Sequence, residues 1–138
     1  MSFKAFIGGS RKLTELKCEG AGTKEDPIFI KNQEFPTGME ITKADNHFVL
    51  KDCTVDKFSL VLKKCQNFKI QGGKYNNIII EGCSNFLIQD SLIIKQLSLQ
   101  SCKAAIIEGC IIDKMRIFRS ARPIVNNCSI ENWTTRAY

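Results

Sequence analysis

Apolar and polar positions alternate along most of this chain in rows that repeat every 18–20 residues. Each row has an apolar residue, any residue, an aliphatic residue, two variable positions, a small or polar residue, any residue and an apolar residue. The rows begin at Ile28, Phe48, Phe68, Phe86, Ala105 and Pro123. Alternation with a period of two predicts short β-strands that bury one face.

A second pattern, apolar-x-apolar-x-x-small, follows each of the first five rows. It occurs as Met39/Ile41/Ala44, Leu60/Leu62/Cys65, Ile78/Ile80/Cys83, Leu97/Leu99/Cys102 and Met115/Ile117/Ser120. Two short strands in each repeat exclude a solenoid of helix pairs, whose repeats need roughly 33 residues or more. If the intervening positions faced inward, Lys51, Lys63 and Lys69 would be buried without partners, at a cost of several kcal/mol each. The apolar columns are therefore predicted to face inward.

Stacked rows of this kind predict a parallel β-helix, in which each coil buries its inner face against its neighbours. Equivalent residues would stack at the strand spacing of about 4.8 Å. Asn46, Asn67 and Asn85 precede successive rows, where a bend needs the left-handed backbone that asparagine tolerates. A β-sandwich with coincidental spacing is the main alternative, but the chain has no Asn-Gly pair, which is the strongest short signal of a hairpin turn.

The segments GTKEDPIFIKN and NHFVLKDCTV resemble the opening coils of the pectin-lyase-like group, and the resemblance spans residues 22–132. It implies an all-β fold, a single-stranded right-handed parallel β-helix (β-solenoid) of about six coils of 18–20 residues. We expect residues 1–21 to form an N-terminal cap segment and residues 22–138 to form the β-helix domain. Trp133 and the tail that follows it are expected to cover the other end. The group contains lyases, hydrolases, isomerases, adhesins and inert modules, so the resemblance leaves the function open.

A more distant resemblance concerns the segments in which one strand ends and the next coil begins. The segments KKCQNFKI and EGCSNFLI are similar to such connections in the β-helix of cyclase-associated proteins and of tubulin cofactor C. That resemblance would imply a cytoskeletal role, in binding actin or tubulin.

Composition and charge narrow the class of protein. The 138 residues are 43% hydrophobic and 25% charged, which is typical of one globular domain. A net charge of +6 is compatible with a polyanionic partner, but the basic residues are spread around the coils, which disfavours nucleic acid. No apolar run approaches the roughly 18 residues of a membrane helix, and the start of the chain lacks the apolar core of a secretory signal. We therefore expect a cytoplasmic protein without a membrane partner.

Six of the seven cysteines fall into two columns of the predicted coil, Cys53, Cys110 and Cys128 in one and Cys65, Cys83 and Cys102 in the other. A straight ladder does not supply the tetrahedral ligand set of zinc, and the sequence has no CxxC pair. We therefore predict neither a metal nor a cofactor. The cysteines are interpreted as small core residues, with disulfides between adjacent coils as the alternative.

Acidic residues give weak candidates for catalysis. Asp52 and Asp90 share a column two coils apart, which would separate them by about 9.6 Å. That separation is near the range of an inverting glycosidase pair, but any two acids two coils apart would match it. We assign no catalytic residue and interpret both as solvated surface acids.

Several apolar residues occupy positions that should face solvent. One column holds Phe29, Val49, Leu87, Ile106 and Ile124, and a second holds Leu92 and Ile111. Leu87, Leu92, Ile106 and Ile111 are predicted to form one contiguous apolar patch, which in a soluble protein usually marks an interface. Coverage of this patch by residues 1–21 is the alternative.

These observations predict a protein without catalytic activity. It would act as a rigid binding or self-assembly module, with a second copy or another protein as its partner. A carbohydrate-active or carbohydrate-binding β-helix, with a glycan as ligand, is one alternative, and a cytoskeletal binding domain is another.

Overall fold

The computed structural model describes residues 5–7, 12–13, 20–44 and 46–136, and the regular elements in these residues are all β-strands. The strands are β1 (Ala5–Ile7), β2 (Lys12–Leu13), β3 (Ile28–Lys31), β4 (Met39–Thr42), β5 (Phe48–Lys51), β6 (Thr54–Lys63), β7 (Gln66–Gln71), β8 (Lys74–Glu81), β9 (Ser84–Gln89), β10 (Leu92–Gln100), β11 (Lys103–Glu108), β12 (Ile111–Phe118), β13 (Ile124–Asn126) and β14 (Ser129–Arg136). Within these ranges, the chain forms no helix of the length and hydropathy needed to cross a membrane.

The strands form two sheets that the chain visits in turn. The six-stranded sheet has the order β13-β11-β9-β7-β5-β3, and each of its neighbouring pairs is parallel. The eight-stranded sheet has the order β14-β12-β10-β8-β6-β4-β1-β2, and it is parallel from β14 to β4. Because each strand from β3 to β12 pairs with the one two places later, the chain winds into a β-solenoid of about six turns. The prediction of an all-β parallel β-helix is confirmed.

The strand register matches the rows found in the sequence. The first residues of the rows pair in succession from Ile28 through Phe48, Phe68 and Phe86 to Ala105. The second pattern is in register as well, with Met39 opposite Leu60 and the later equivalents following. The register shifts after Val55 in β6 and after Ile93 in β10. We call the first three residues of β6, β8, β10, β12 and β14 the short arm, and the rest of each strand the long arm.

The core is a set of ladders in which like side chains stack. Phe48, Phe68 and Phe86 form a continuous aromatic stack, with ring centroids 5.2 Å and 4.8 Å apart. Beside it runs a fully buried aliphatic ladder of Ile30, Leu50, Ile70, Ile88 and Ile107. Full burial of each such side chain contributes about 1.5–3 kcal/mol, so the ladders provide most of the cohesion between coils.

The bends between strands use left-handed backbone in repeated positions. Asn67 and Asn85 have φ values of 61° and 58°, as the sequence predicts. The Asn85 amide donates a hydrogen bond of 2.7 Å to the Asn67 side-chain oxygen, so this bend also carries a polar ladder. Asparagine suits the position because its short polar side chain tolerates this conformation.

The two ends of the solenoid differ. At the N-terminal end, β1 pairs antiparallel with β4 and β2 pairs antiparallel with β1, so both extend the eight-stranded sheet. The rest of the predicted cap up to residue 19, with Cys18, lies outside the described residues. At the other end, Trp133 is in register with the inward-facing Met115 and is half-exposed, while Tyr138 lies outside the described residues.

The aliphatic ladder gives a direct test of the fold. Ile88 is fully buried between Ile70 and Ile107, so Ile88→Ala should lower the free energy of unfolding by roughly 2–5 kcal/mol. Gln89→Ala, at the adjacent outward position, should change it by no more than about 0.5 kcal/mol. Urea unfolding followed by circular dichroism measures both. Equal losses in the two variants would contradict the register.

Candidate functional site

The structure places the predicted apolar residues in the columns expected of them. Phe29, Val49, Lys69, Leu87, Ile106 and Ile124 are successive register partners in the six-stranded sheet. Lys74, Leu92, Ile111 and Ser129 are register partners on the short arm. Both columns therefore exist as straight runs up the solenoid.

Exposure along the first column rises toward the C-terminal end. Ile106 and Ile124 are exposed, Leu87 and Phe29 are half-buried, and Val49 is buried. Val49 was expected to face solvent, but it lies in the wall of a groove beside Lys24 and Pro27 of the loop before β3. That loop is fixed to the second coil because the His47 amide donates to the Gly22 carbonyl, at 2.9 Å.

The residues of the predicted patch lie on both sheets. Leu87 and Ile106 belong to the six-stranded sheet, whereas Leu92 and Ile111 belong to the eight-stranded one. The intervening positions are Gln89 and Glu108 at the strand ends, followed by the turn residues Asp90 and Gly109. The structure therefore divides the patch into two apolar columns with polar residues between them.

The short arm carries one more apolar residue than the sequence analysis identified. Ile94 follows Leu92 two positions along β10 and is exposed, while Ile93 between them is buried. We call Leu92, Ile94 and Ile111 the short-arm cluster. The signal in the sequence is the run Leu92-Ile93-Ile94, in which three consecutive apolar residues cannot all face inward in a strand.

The two acidic candidates are parts of a turn ladder. Asp52, Gly72, Asp90 and Gly109 occupy equivalent turn positions on four successive coils, and all have positive φ. A Cβ atom added to Gly72 would collide with Oδ1 of Asp52, and one added to Gly109 would collide with Oδ1 of Asp90. Each carboxylate therefore lies over the glycine of the next coil, and its neighbour along the column is a backbone rather than a second acid.

The cysteine ladders are hydrogen-bonded to the backbone of the preceding coil. The thiols of Cys65, Cys83 and Cys102 donate to the carbonyls of Ile41, Leu62 and Ile80, at 3.3, 3.4 and 3.4 Å. In the other ladder the Ser91 hydroxyl donates to the Gly72 carbonyl at 3.0 Å. These positions hold small side chains, and each thiol or hydroxyl named here also donates a hydrogen bond to the preceding coil.

All six described cysteines are free thiols, namely Cys53, Cys65, Cys83, Cys102, Cys110 and Cys128. Burial raises the pKa values of Cys53 and Cys102, and it raises that of Cys110 to about 11. Since the thiolate is the reactive form, these side chains are poor nucleophiles near neutral pH. No group of three or more His, Cys, Asp or Glu side chains in the described part of the chain is arranged to hold a metal ion.

A groove of about 300 Å³ opens on the outer face of the six-stranded sheet. It crosses four successive coils, at residues 47–49, 67–69, 85–87, 104 and 106. Its apolar lining includes Val49, Leu87 and Ile106, and its polar lining is Lys24, His47, Asn67, Lys69 and Asn85. The groove thus combines apolar surface with basic and amide groups.

No protein-family model, no curated protein and no solved structure matches this chain. A functional proposal therefore depends on the exposed apolar columns, the turn ladder and the groove.

The turn ladder can be tested with a pair of glycines. Gly72 and Gly82 have similar φ values, 68° and 64°, but the atom nearest to an added Cβ at Gly82 is Lys64 Cγ at 3.7 Å. Gly82→Ala should cost only the left-handed backbone penalty of about 1 kcal/mol. Gly72→Ala should cost about 1–3 kcal/mol more, because the added methyl group meets the Asp52 carboxylate.

Adding Asp52→Gly to Gly72→Ala should remove that excess, as measured by a double-mutant cycle in urea. If Gly72→Ala and Gly82→Ala were equally destabilising, the placement of the carboxylate over Gly72 would be wrong.

Alkylation tests the cysteine ladders. In a Cys18→Ser background, iodoacetamide at about pH 8 should modify the partly exposed Cys128 first. Cys53, Cys102 and Cys110 should react only after unfolding in urea, because burial keeps them protonated. Peptide mass spectrometry measures the modification at each site. Native-state modification of Cys110 as fast as that of Cys128 would contradict this assignment.

Proposed function

We propose that this protein is a non-catalytic binding module that self-associates through the short-arm cluster. The observation that supports the proposal is the exposure of three aliphatic side chains near the starts of β10 and β12, with Leu92 37%, Ile94 40% and Ile111 60% exposed. Single exposed aliphatic residues are ordinary on a protein surface. A group in which Leu92 and Ile111 are register partners and Ile94 follows on the same strand is typical of an interface.

The solenoid suits this role because its surface is already ordered. The cluster lies on β10 and β12, whose hydrogen bonds and buried neighbours fix the backbone before any partner arrives. Association then costs little additional conformational entropy, so more of the apolar burial contributes to binding.

The charges around the cluster favour a second copy as the partner. Lys74 precedes Leu92 in its column, and Lys95 and Asp113 follow Ile94 and Ile112 along their strands, all three being exposed. A rim with both signs of charge is self-complementary when a two-fold axis places Lys95 of one copy near Asp113 of the other. The free thiols are consistent with a reducing compartment, and we place this role in the cytoplasm.

The alternatives have less support. A carbohydrate-active site would use Asp52 and Asp90, but each lies over a glycine of the next coil. A cytoskeletal partner is suggested only by the resemblance of the connections between coils.

Replacement of two cluster residues by lysine tests the proposal. The Leu92→Lys, Ile111→Lys double variant should remain folded, because both side chains are exposed, and should sediment as a monomer. The wild type should sediment as a dimer in a concentration-dependent manner. Sedimentation velocity over a range of protein concentrations measures this difference.

The control variant, Gln66→Lys with Gln100→Lys, adds the same charge at two other exposed positions and should behave as the wild type. Thermal melting of all three proteins confirms that they are folded. A wild type that stays monomeric up to the highest concentration, or a control that dissociates as the double variant does, would refute self-association through this cluster.

A further inference from the structure

We propose that the groove on the six-stranded sheet binds an extended acidic peptide segment of a partner protein. In this complex, acidic side chains of the peptide contact Lys24 and Lys69, and its aliphatic side chains pack on Leu87 and Ile106. The groove lies on a different sheet from the short-arm cluster, so this proposal is independent of self-association.

The charge of the groove indicates the sign of its ligand. Lys24, His47 and Lys69 line it, and the described lining includes no Asp or Glu. Among the residues that the structure describes, neither lysine lies within 4.0 Å of a carboxylate oxygen. An incoming carboxylate would therefore meet two lysines that have no internal counter-ion to displace. The charge-assisted hydrogen bonds that it forms with them are among the strongest that proteins make.

Lys69 is the central basic group. It is the register partner of Val49 on one side and of Leu87 on the other, and it is half-buried. Lys69 therefore places a basic side chain within an otherwise apolar column, where its methylene stem can pack between the two neighbours while its ammonium group remains free to bind a carboxylate. A peptide face that carries both acidic and aliphatic side chains would match this column, in which one basic residue lies among apolar ones.

The amide ladder supplies groups that suit a peptide backbone. The Asn85 side-chain nitrogen donates to the Asn67 side-chain oxygen, which leaves the Asn67 nitrogen as a donor and the Asn85 oxygen as an acceptor. These two groups have no other hydrogen-bond partner in the described residues. A peptide unit carries both a donor and an acceptor, so it can satisfy both asparagines at once.

The dimensions agree with an extended segment. Four coils at the strand spacing give the groove a length of about 14 Å, and an extended chain rises about 3.3 Å per residue. The groove therefore holds about four residues of extended peptide. Because it is open along its length, longer segments can continue beyond both ends.

Fluorescence anisotropy with a labelled peptide of repeated Asp-Asp-Leu-Leu, which presents both residue types on each face of an extended chain, tests the proposal. The protein with an unaltered groove should bind this peptide at low salt, and Lys69→Gln should weaken binding about tenfold, since one charge-assisted hydrogen bond is lost. Lys51→Gln removes the same charge from an exposed residue of β5 that does not line the groove, and it should leave binding unchanged. The matching peptide of repeated Asn-Asn-Leu-Leu should not bind.

All measurements are made in the Leu92→Lys, Ile111→Lys background, so that failure of self-association does not affect the result. Equal weakening by Lys51→Gln and Lys69→Gln would show attraction to the net positive charge alone and would overturn the proposal. It would also be overturned if the acidic peptide did not bind, or if anionic lipid vesicles bound in a Lys69-dependent manner while the peptide did not.

Discussion

The lateral hydrogen bonds between parallel strands are the constraint on which this structure depends. They hold each coil one strand spacing from the next, so every side chain meets the side chain at the same position of its neighbours. An inward residue is therefore accommodated only if its side chain packs on the side chains at the same position of the neighbouring coils. The stacked phenylalanines, the aliphatic ladder and the thiols that donate to the preceding coil are all results of this rule.

The same constraint organises the outer surface. Outward side chains at the same position of successive coils also form columns. Polar and apolar outward positions therefore appear on the surface as neighbouring stripes rather than as scattered residues. The short-arm cluster and the polar positions beside it, Gln89 and Glu108, are neighbouring stripes of this kind. The groove arises where the loop before β3 lies beside one such column, which joins apolar residues to Lys24.

Much of the fold follows from the sequence because the repeat is local. The period of two, the row spacing and the positions of Asn67 and Asn85 predict the strands, their register and two of the bends. The register shift after Ile93 is harder to predict, because it depends on where this coil bends to fit the coils on either side of it. The exposed Ile94 lies at that irregularity, whereas the turn at Asp90 separates Leu92 from the column of Leu87.

Features formed between distant segments could not be predicted. The alternation of β5 predicts that Val49 faces outward, and its burial depends on the loop before β3. The seating of Asp52 over Gly72 depends on side-chain direction within a turn, which alternation does not encode. Asp52 and Asp90 are two coils apart in the same column, but that placement does not reveal that a backbone lies between them.

The aromatic stack has a consequence for how this chain can change in evolution. Its column reads Ile28, Phe48, Phe68, Phe86, Ala105 and Pro123, so the volume available at this position falls sharply after the fourth coil. Deletion of the Ala105 coil would place the Phe86 ring against Pro123, and moving a phenylalanine coil beyond Phe86 would place a ring at a site sized for a smaller side chain. Although the coils share one pattern, a coil beyond Phe86 cannot replace a phenylalanine coil without compensating changes in the core.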